Sequence, residues 1–147
     1  MKLSKKTRYG SRAMATLAMA YPEEPVSVGQ VARQQRLSAK YLEQIMAALK
    51  TAGLVTSTQG VHGGYSLARP PESINLGDVF NVLEGPTAPV DCVDNPGTCS
   101  MEAVCPTRDT WVEIEEAIRK VLKNTTLQDL VERMKSKSDG LSRMYQI

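Results

Sequence analysis

The chain has a single histidine, His62. It has no glycine loop of Walker type, no carboxylate pair placed for catalysis, and no internal repeat or low-complexity tract. Each absence removes a class of function. A cysteine nucleophile needs a base such as histidine, and His62 lies far in sequence from every cysteine. Without the phosphate-cradling loop there is no sign of that mode of nucleotide binding. An enzyme is therefore not expected. Long hydrophobic runs are missing too, so no membrane span is expected. The apolar residues near the N-terminus are interrupted by Arg12 in a helical pattern, which does not read as a signal peptide. The formal charge of +2 is close to neutral and by itself argues for no partner.

What is present is concentrated. The 147 residues suit one domain with a real core rather than two large ones. All three cysteines, Cys92, Cys99 and Cys105, fall in CVDNPGTCSMEAVC, a segment broken by Pro96, Gly97 and Pro106. An odd count cannot be closed by internal disulfides alone. Spacing of C-x6-C-x5-C leaves loop between the thiols, so all three sulfurs can converge on one object. Soft thiolates select zinc, copper(I) or an iron–sulfur cluster. Zinc is disfavoured, because neither a fourth cysteine nor a nearby histidine completes its shell. Unpaired cysteines also point to a reducing cytoplasm.

The first third reads as a winged helix-turn-helix. Lys2, Lys5, Lys6, Arg8 and Arg12 precede the first acid, Glu23, and form a basic start suited to phosphate. Tyr9, Ala13, Leu17 and Ala20 give residues 4–20 a helical apolar face that stops at Pro22. Ser27 and Gln30 form a capping-box pattern for a short helix over about 28–35. After a tight turn at Arg36–Leu37, Ser38 caps a second helix with Leu42, Ile45, Met46 and Leu49 inward, ended by Gly53. LVTSTQ and YSLAR are strand-like runs around the glycine-rich tip GVHGG, which makes a hairpin, or wing. Ser38, Lys40, Tyr41, Glu43 and Gln44 occupy the first two turns of the second helix, where a recognition helix meets bases and phosphates. Gln44 and Ser38 are the base-reading candidates; Lys40, Tyr41 and Arg8 suit the backbone. On the wing, His62 suits a solvent or phosphate contact, with Gln59 beside it.

In the second half, Asn75 is expected to cap a helix through about Leu83, ended by Gly85-Pro86. Trp111, Ile114, Ile118, Val121 and Leu122 form a stripe over more than three turns, which needs a partner surface. Thr126–Asp129 opens a last short helix, and the polar tail from Ser136 is expected to be loose. This divides the chain into a DNA-binding domain at 1–85, a cysteine loop at 86–106, a long helix with a short successor at 107–135, and a tail at 136–147.

The motifs M-K-L-S-x-K-x-R-Y-G, L-S-x-x-Y-L-E-Q-I and G-x-x-G-G-Y-x-L-A resemble those of the IscR/NsrR/RirA family of bacterial regulators. INLGDVFNVLEG, the three cysteines and CPTRDTW continue the resemblance to about residue 132. It implies a mainly α fold: a winged helix-turn-helix domain with a long C-terminal dimerisation helix lying beside the partner's winged domain. It also implies a homodimeric repressor of a pseudo-palindromic DNA operator, with Cys92, Cys99 and Cys105 holding an iron–sulfur cluster, 2Fe–2S or 4Fe–4S. In the IscR branch a histidine three residues after the last cysteine is the fourth ligand; here that residue is Arg108, which cannot ligate iron. In the NsrR branch an aspartate at the eighth residue serves; here it is Arg8. Asp91, Asp94, Thr107 and Asp109 are the nearby oxygen alternatives, beside a small external ligand. Gln59 stands where the IscR branch has an arginine. The alternative is a regulator of the same fold without a cluster, controlled by thiol oxidation, such as a Cys92–Cys99 disulfide, or by a protein partner.

Overall fold

The computed structural model describes residues 2–146. Its helices are α1 (Lys5–Ala20), α2 (Val28–Gln35), α3 (Ala39–Thr51), α4 (Leu76–Leu83), α5 (Asp91–Asp94), α6 (Arg108–Asn124) and α7 (Leu127–Tyr145). Strands β1 (Val55–Thr58) and β2 (Gly64–Leu67) lie between α3 and α4. Three helix starts are capped by serines: the hydroxyls of Ser4, Ser27 and Ser38 accept from the backbone N–H of Thr7, Gln30 and Tyr41. Asn75 with Asp78 and Thr126 with Asp129 make full capping boxes at α4 and α7. Each such cap satisfies donors that the first helical turn leaves unpaired.

α2 and α3 meet at Arg36, which takes the left-handed conformation at φ 55°. A β-carbon resists that region, so the turn holds a small strain that glycine would not. Apolar faces of α1, α2 and α3 then close on one core containing Ala13, Leu17, Val31, Leu42, Ile45 and Leu49, all buried. The wing is antiparallel, pairing Val55 with Leu67 through Thr58 with Gly64. Its second strand also bridges to Val26 ahead of α2, with both Val26–Tyr65 backbone bonds at 2.9 Å. Gly64 makes this possible. It sits at φ +154°, and a Cβ there would stand 2.3 Å from the Val26 carbonyl oxygen.

The C-terminal half returns to the winged domain. Leu76 N–H donates to the Thr125 carbonyl at 2.8 Å and Leu127 N–H to the Ile74 carbonyl at 2.9 Å, so the α6–α7 corner is tied to the start of α4. Leu127 and Val131 of α7 are buried in the winged core beside Ile74 and Val79. Two expectations change here. The last helix is not short: α7 runs 19 residues to Tyr145, through most of the segment expected to be a loose tail. A full capping box starts it, no proline interrupts it, and Lys and Arg are good helix formers on a fully exposed face. The cysteine loop, in turn, contains one helical turn, α5, which carries Cys92.

One contact joins α4 to the basic N-terminus. The Glu84 carboxylate accepts from the Ser4 and Thr7 hydroxyls and the Ser4 N–H. These bonds, Thr7 foremost and then Ser4, hold the carboxyl below its ordinary range. A depressed carboxyl contributes stability that is present above the ordinary carboxylate range and lost as pH falls through the folded value. Glu84→Gln should therefore lower the melting temperature at neutral pH, and the gap to the parent should close as the solution is acidified below pH ~4. A gap unchanged by acidification would contradict this role.

Candidate functional site

The recognition helix presents its first two turns outward. Ser38, Lys40, Glu43 and Gln44 are exposed and Tyr41 is half-buried. Their environments separate them. Gln44 makes no hydrogen bond within the chain among the described residues, so its carboxamide is free for a base edge. Ser38 already accepts the Tyr41 N–H at 3.1 Å as the helix cap, leaving its hydroxyl proton and one lone pair to offer. Glu43 Oε2 accepts from the Tyr65 hydroxyl of the wing at 3.2 Å. Burial and then the Glu43 charge push the Tyr65 phenol up, so it stays a donor. Lys50 Nζ donates to Ser57 Oγ at 2.6 Å and makes a second link from α3 to the wing. Helix and hairpin thus form one reading unit.

Arg8 joins this surface through aromatic packing. The Tyr9 and Tyr41 rings meet edge to face, with centroids 6.3 Å apart. The Arg8 and Arg12 guanidiniums each lie 5.7 Å from the Tyr9 centroid. Such cation–π contacts set the direction of two charges beside the recognition helix. Both arginines belong to the basic start read from the sequence as suited to phosphate, though only Arg8 was named there as a separate DNA contact. Gln59 and His62 are both exposed on the wing, and Val61 at its tip is 97% exposed.

The three cysteines meet at a second place. Cys92 and Cys105 are half-buried and Cys99 is exposed, all as free thiols. Together with Asp91 and Trp111 they line one open cavity of about 570 Å³. The Thr107 hydroxyl lies 3.4 Å from Cys105 Sγ. Hydrogen bonding from Thr107, first through its side chain and then its backbone, favours the thiolate and lowers the Cys105 thiol, with a smaller contribution from Arg108. Arg108 donates from Nη2 to the Cys92 carbonyl at 3.3 Å and pairs with Glu102 at 3.1 Å. Its Nε–H is buried and has no acceptor. Of the oxygen alternatives, Asp91 shares the cysteine cavity and Thr107 reaches Cys105, whereas Asp94 lines a different cavity.

This donor set can be tested against a metal group. Among the described residues, no three cysteine, histidine or acidic side chains are grouped to hold a metal ion. A lone tetrahedral zinc, with Zn–S of about 2.3 Å, has no ready site. Three thiols on one cavity are the donor type that an iron–sulfur cluster takes, since such clusters are bound through cysteine sulfur. Arg108 does not line that cavity and is paired with Glu102, so it is no ligand there.

A family model described as the iron-dependent transcriptional regulator Rrf2 matches residues 3–133. The chain belongs to the Rrf2 family. It is a helix-turn-helix transcriptional regulator, not an enzyme, and acts by binding DNA. Protein rrf2 of Nitratidesulfovibrio vulgaris is 44% identical over 131 residues, 89% of this chain and 87% of that protein. A solved structure of CymR, described as the global cysteine regulator of B. subtilis, is 39% identical with a TM-score of 0.77. That match covers 90% of this chain and 98% of CymR. IscR of T. potens is likewise 39% identical, with a TM-score of 0.74 over 91% of this chain and 88% of its own. The Rrf2 likeness to both establishes the mainly helical fold, the two-stranded wing and the long C-terminal helix. No helix among the described residues is long and apolar enough to cross a membrane.

Proposed function

We propose that this Rrf2-family regulator is a cytoplasmic homodimer that represses from a pseudo-palindromic operator, with an iron–sulfur cluster on Cys92, Cys99 and Cys105 setting its DNA affinity. The observation that carries the reading is the convergence of all three cysteines on one cavity at the root of α6. The family description as iron-dependent agrees with it. When bound, such a cluster supplies sensitivity to oxidants, nitric oxide or iron supply. The chain's own part is mechanical. Cys92 rides on α5 and Cys105 lies just ahead of α6, with Arg108 spanning from α6 back to the Cys92 carbonyl. A change in how the thiols are held therefore shifts α5 against α6, and α6 packs on α4 of the winged domain.

Dimerisation through α6 is supported by its apolar stripe. Ile114 is 39% and Val121 65% exposed, beside half-buried Trp111, Ile118 and Leu122. A second copy is the partner this face calls for, and it would space two recognition helices about one DNA turn apart. Sites for Gln44, Ser38, Lys40, Tyr41, Glu43, Arg8, Gln59 and His62 on that DNA follow from the exposed reading surface.

A second reading has its own support. Cys105 is held toward the thiolate, the attacking form in disulfide formation. A solved relative at 38% identity and TM-score 0.73 is described as the oxidised form of S. aureus CymR. In that case oxidation to a disulfide, or a protein partner, replaces the cluster. Cys99→Ala distinguishes the two. Cys99 is exposed, so the fold should persist. On the cluster reading the anaerobic variant loses visible absorbance and its operator affinity changes; unchanged values in both would sink it.

A further inference from the structure

A second cavity lies apart from the cysteine cavity. It measures about 620 Å³, lies between α4 and α6, and takes one side chain, Asp94, from the turn that carries Cys92. Its volume is in the range of small-molecule sites. The lining is charged with both signs. Glu115, Asp94 and Asp78 supply carboxylates; Arg119 and Lys123 supply cations one helical turn apart on α6. Asn81 contributes a carboxamide.

Glu115 is the unusual member. It is only 5% exposed, the one fully buried residue of α6. The Arg119 guanidinium at 2.6 Å and the Thr87 hydroxyl at 3.3 Å both donate to Oε1. Oε2 accepts from no protein donor among the described residues. That oxygen is not sealed off like the orphaned buried atoms elsewhere in the chain, and Glu115 lines the cavity, so Oε2 is open to an occupant. Across the cavity, Lys123 and Asp94 take part in none of the ion pairs of the described residues. So one cation and one carboxylate outside any ion pair, and one carboxylate with an open second oxygen, share a cavity of molecular size.

We propose that this cavity binds a small zwitterion of the α-amino-acid class, its ammonium on Glu115 Oε2 and Asp94, its carboxylate on Lys123 and the outer N–H groups of Arg119. A simple anion is disfavoured by three carboxylates, and a simple cation by Arg119 and Lys123. An occupant would brace α5 and α6 against α4. It would thereby link the level of an amino acid to the same elements that the cysteines move, and by linkage operator binding and amino-acid binding would affect each other equally.

The test uses the full-length protein. Each of the standard L-α-amino acids is screened by thermal shift at millimolar concentration, and the strongest is titrated by calorimetry beside its decarboxylated amine and its deaminated acid. The expected result is a saturable site for the amino acid with both half-molecules at least about tenfold weaker. Lys123→Ala, an exposed change, should weaken binding about tenfold while leaving the melting temperature of the free protein unchanged. Binding to Lys123→Ala at parental affinity, or equal binding of either half-molecule, would overturn the assignment. So would the absence of any binding, as expected if a segment of a second copy fills the cavity. Operator binding by the ligand-free parent and ligand-free Lys123→Ala stays intact if the DNA-reading surface is right, so the two claims fail separately.

Discussion

Leu42→Ala is expected to destabilise the protein by about 3–5 kcal/mol and to abolish operator binding near physiological temperature. Leu42 is fully buried in the first turn of α3, the recognition helix. It lines a small apolar void, too tight for water, with Leu17, Val31 and Met46. Truncation would enlarge that void, and helices on three sides limit how far it can collapse. Because the same helix carries Gln44, instability there is instability of the reading surface. Chemical denaturation measures the loss. A cost below about 1 kcal/mol would mean that the site relaxes freely and that the core is not organised around α3.

Gln44→Ala should leave stability within about 0.5 kcal/mol and instead cost about 1–3 kcal/mol of discrimination at one operator base pair. Gln44 is exposed and engaged by nothing in the chain. A glutamine carboxamide can pair with adenine through two bonds, so its loss relaxes specificity at a single position. A change of a charged residue such as Lys40 should behave differently. It should weaken binding about evenly across sequences and reduce its salt dependence. Binding-site selection with the parent and both variants separates these patterns. A uniform loss from Gln44→Ala would move Gln44 out of the base-reading set.

Much of this fold was legible because its signals are local. Ser27, Ser38, Asn75 and Thr126 each stand where a cap was expected, since a short polar side chain before an apolar period satisfies the first helical turn. The wing was legible from glycines at its tip, and Gly64 shows why they are needed: any Cβ there meets the Val26 carbonyl. What the residues hid was long-range. The return of α7 into the winged core depends on Leu127 and Val131 finding Ile74 and Val79 across the molecule, and no periodicity reports that pairing. The helical continuation to Tyr145 was masked by its polarity, because an exposed helix and a loose tail have similar composition.

The candidate site divides in the same way. Three cysteines in one short segment announced a shared purpose, and the fold does bring them to one cavity. Arg108 was legible as an obstacle to ligation. Its bond to the Cys92 carbonyl, which makes it a strut between α6 and α5, was not. Glu43 was read as one of the groove-facing residues, able to accept from a base or repel phosphate; the structure adds its bond to the Tyr65 hydroxyl, which couples helix to wing. Glu115 drew no attention in the acidic run at residues 113–116, because burial of one of its three glutamates is a property of the packing.

The central claim is that the three thiols hold an iron–sulfur cluster that governs DNA binding. Anaerobic purification with iron and sulfide quantitation, a visible spectrum and operator affinity before and after cluster removal tests it most directly. The account predicts stoichiometric iron and sulfide, a brown chromophore and an affinity that shifts on removal, with iron per protomer separating 2Fe–2S from 4Fe–4S. A colourless protein that resists anaerobic reconstitution, with operator affinity unaffected by iron, would contradict it and leave thiol oxidation or a protein partner as the control.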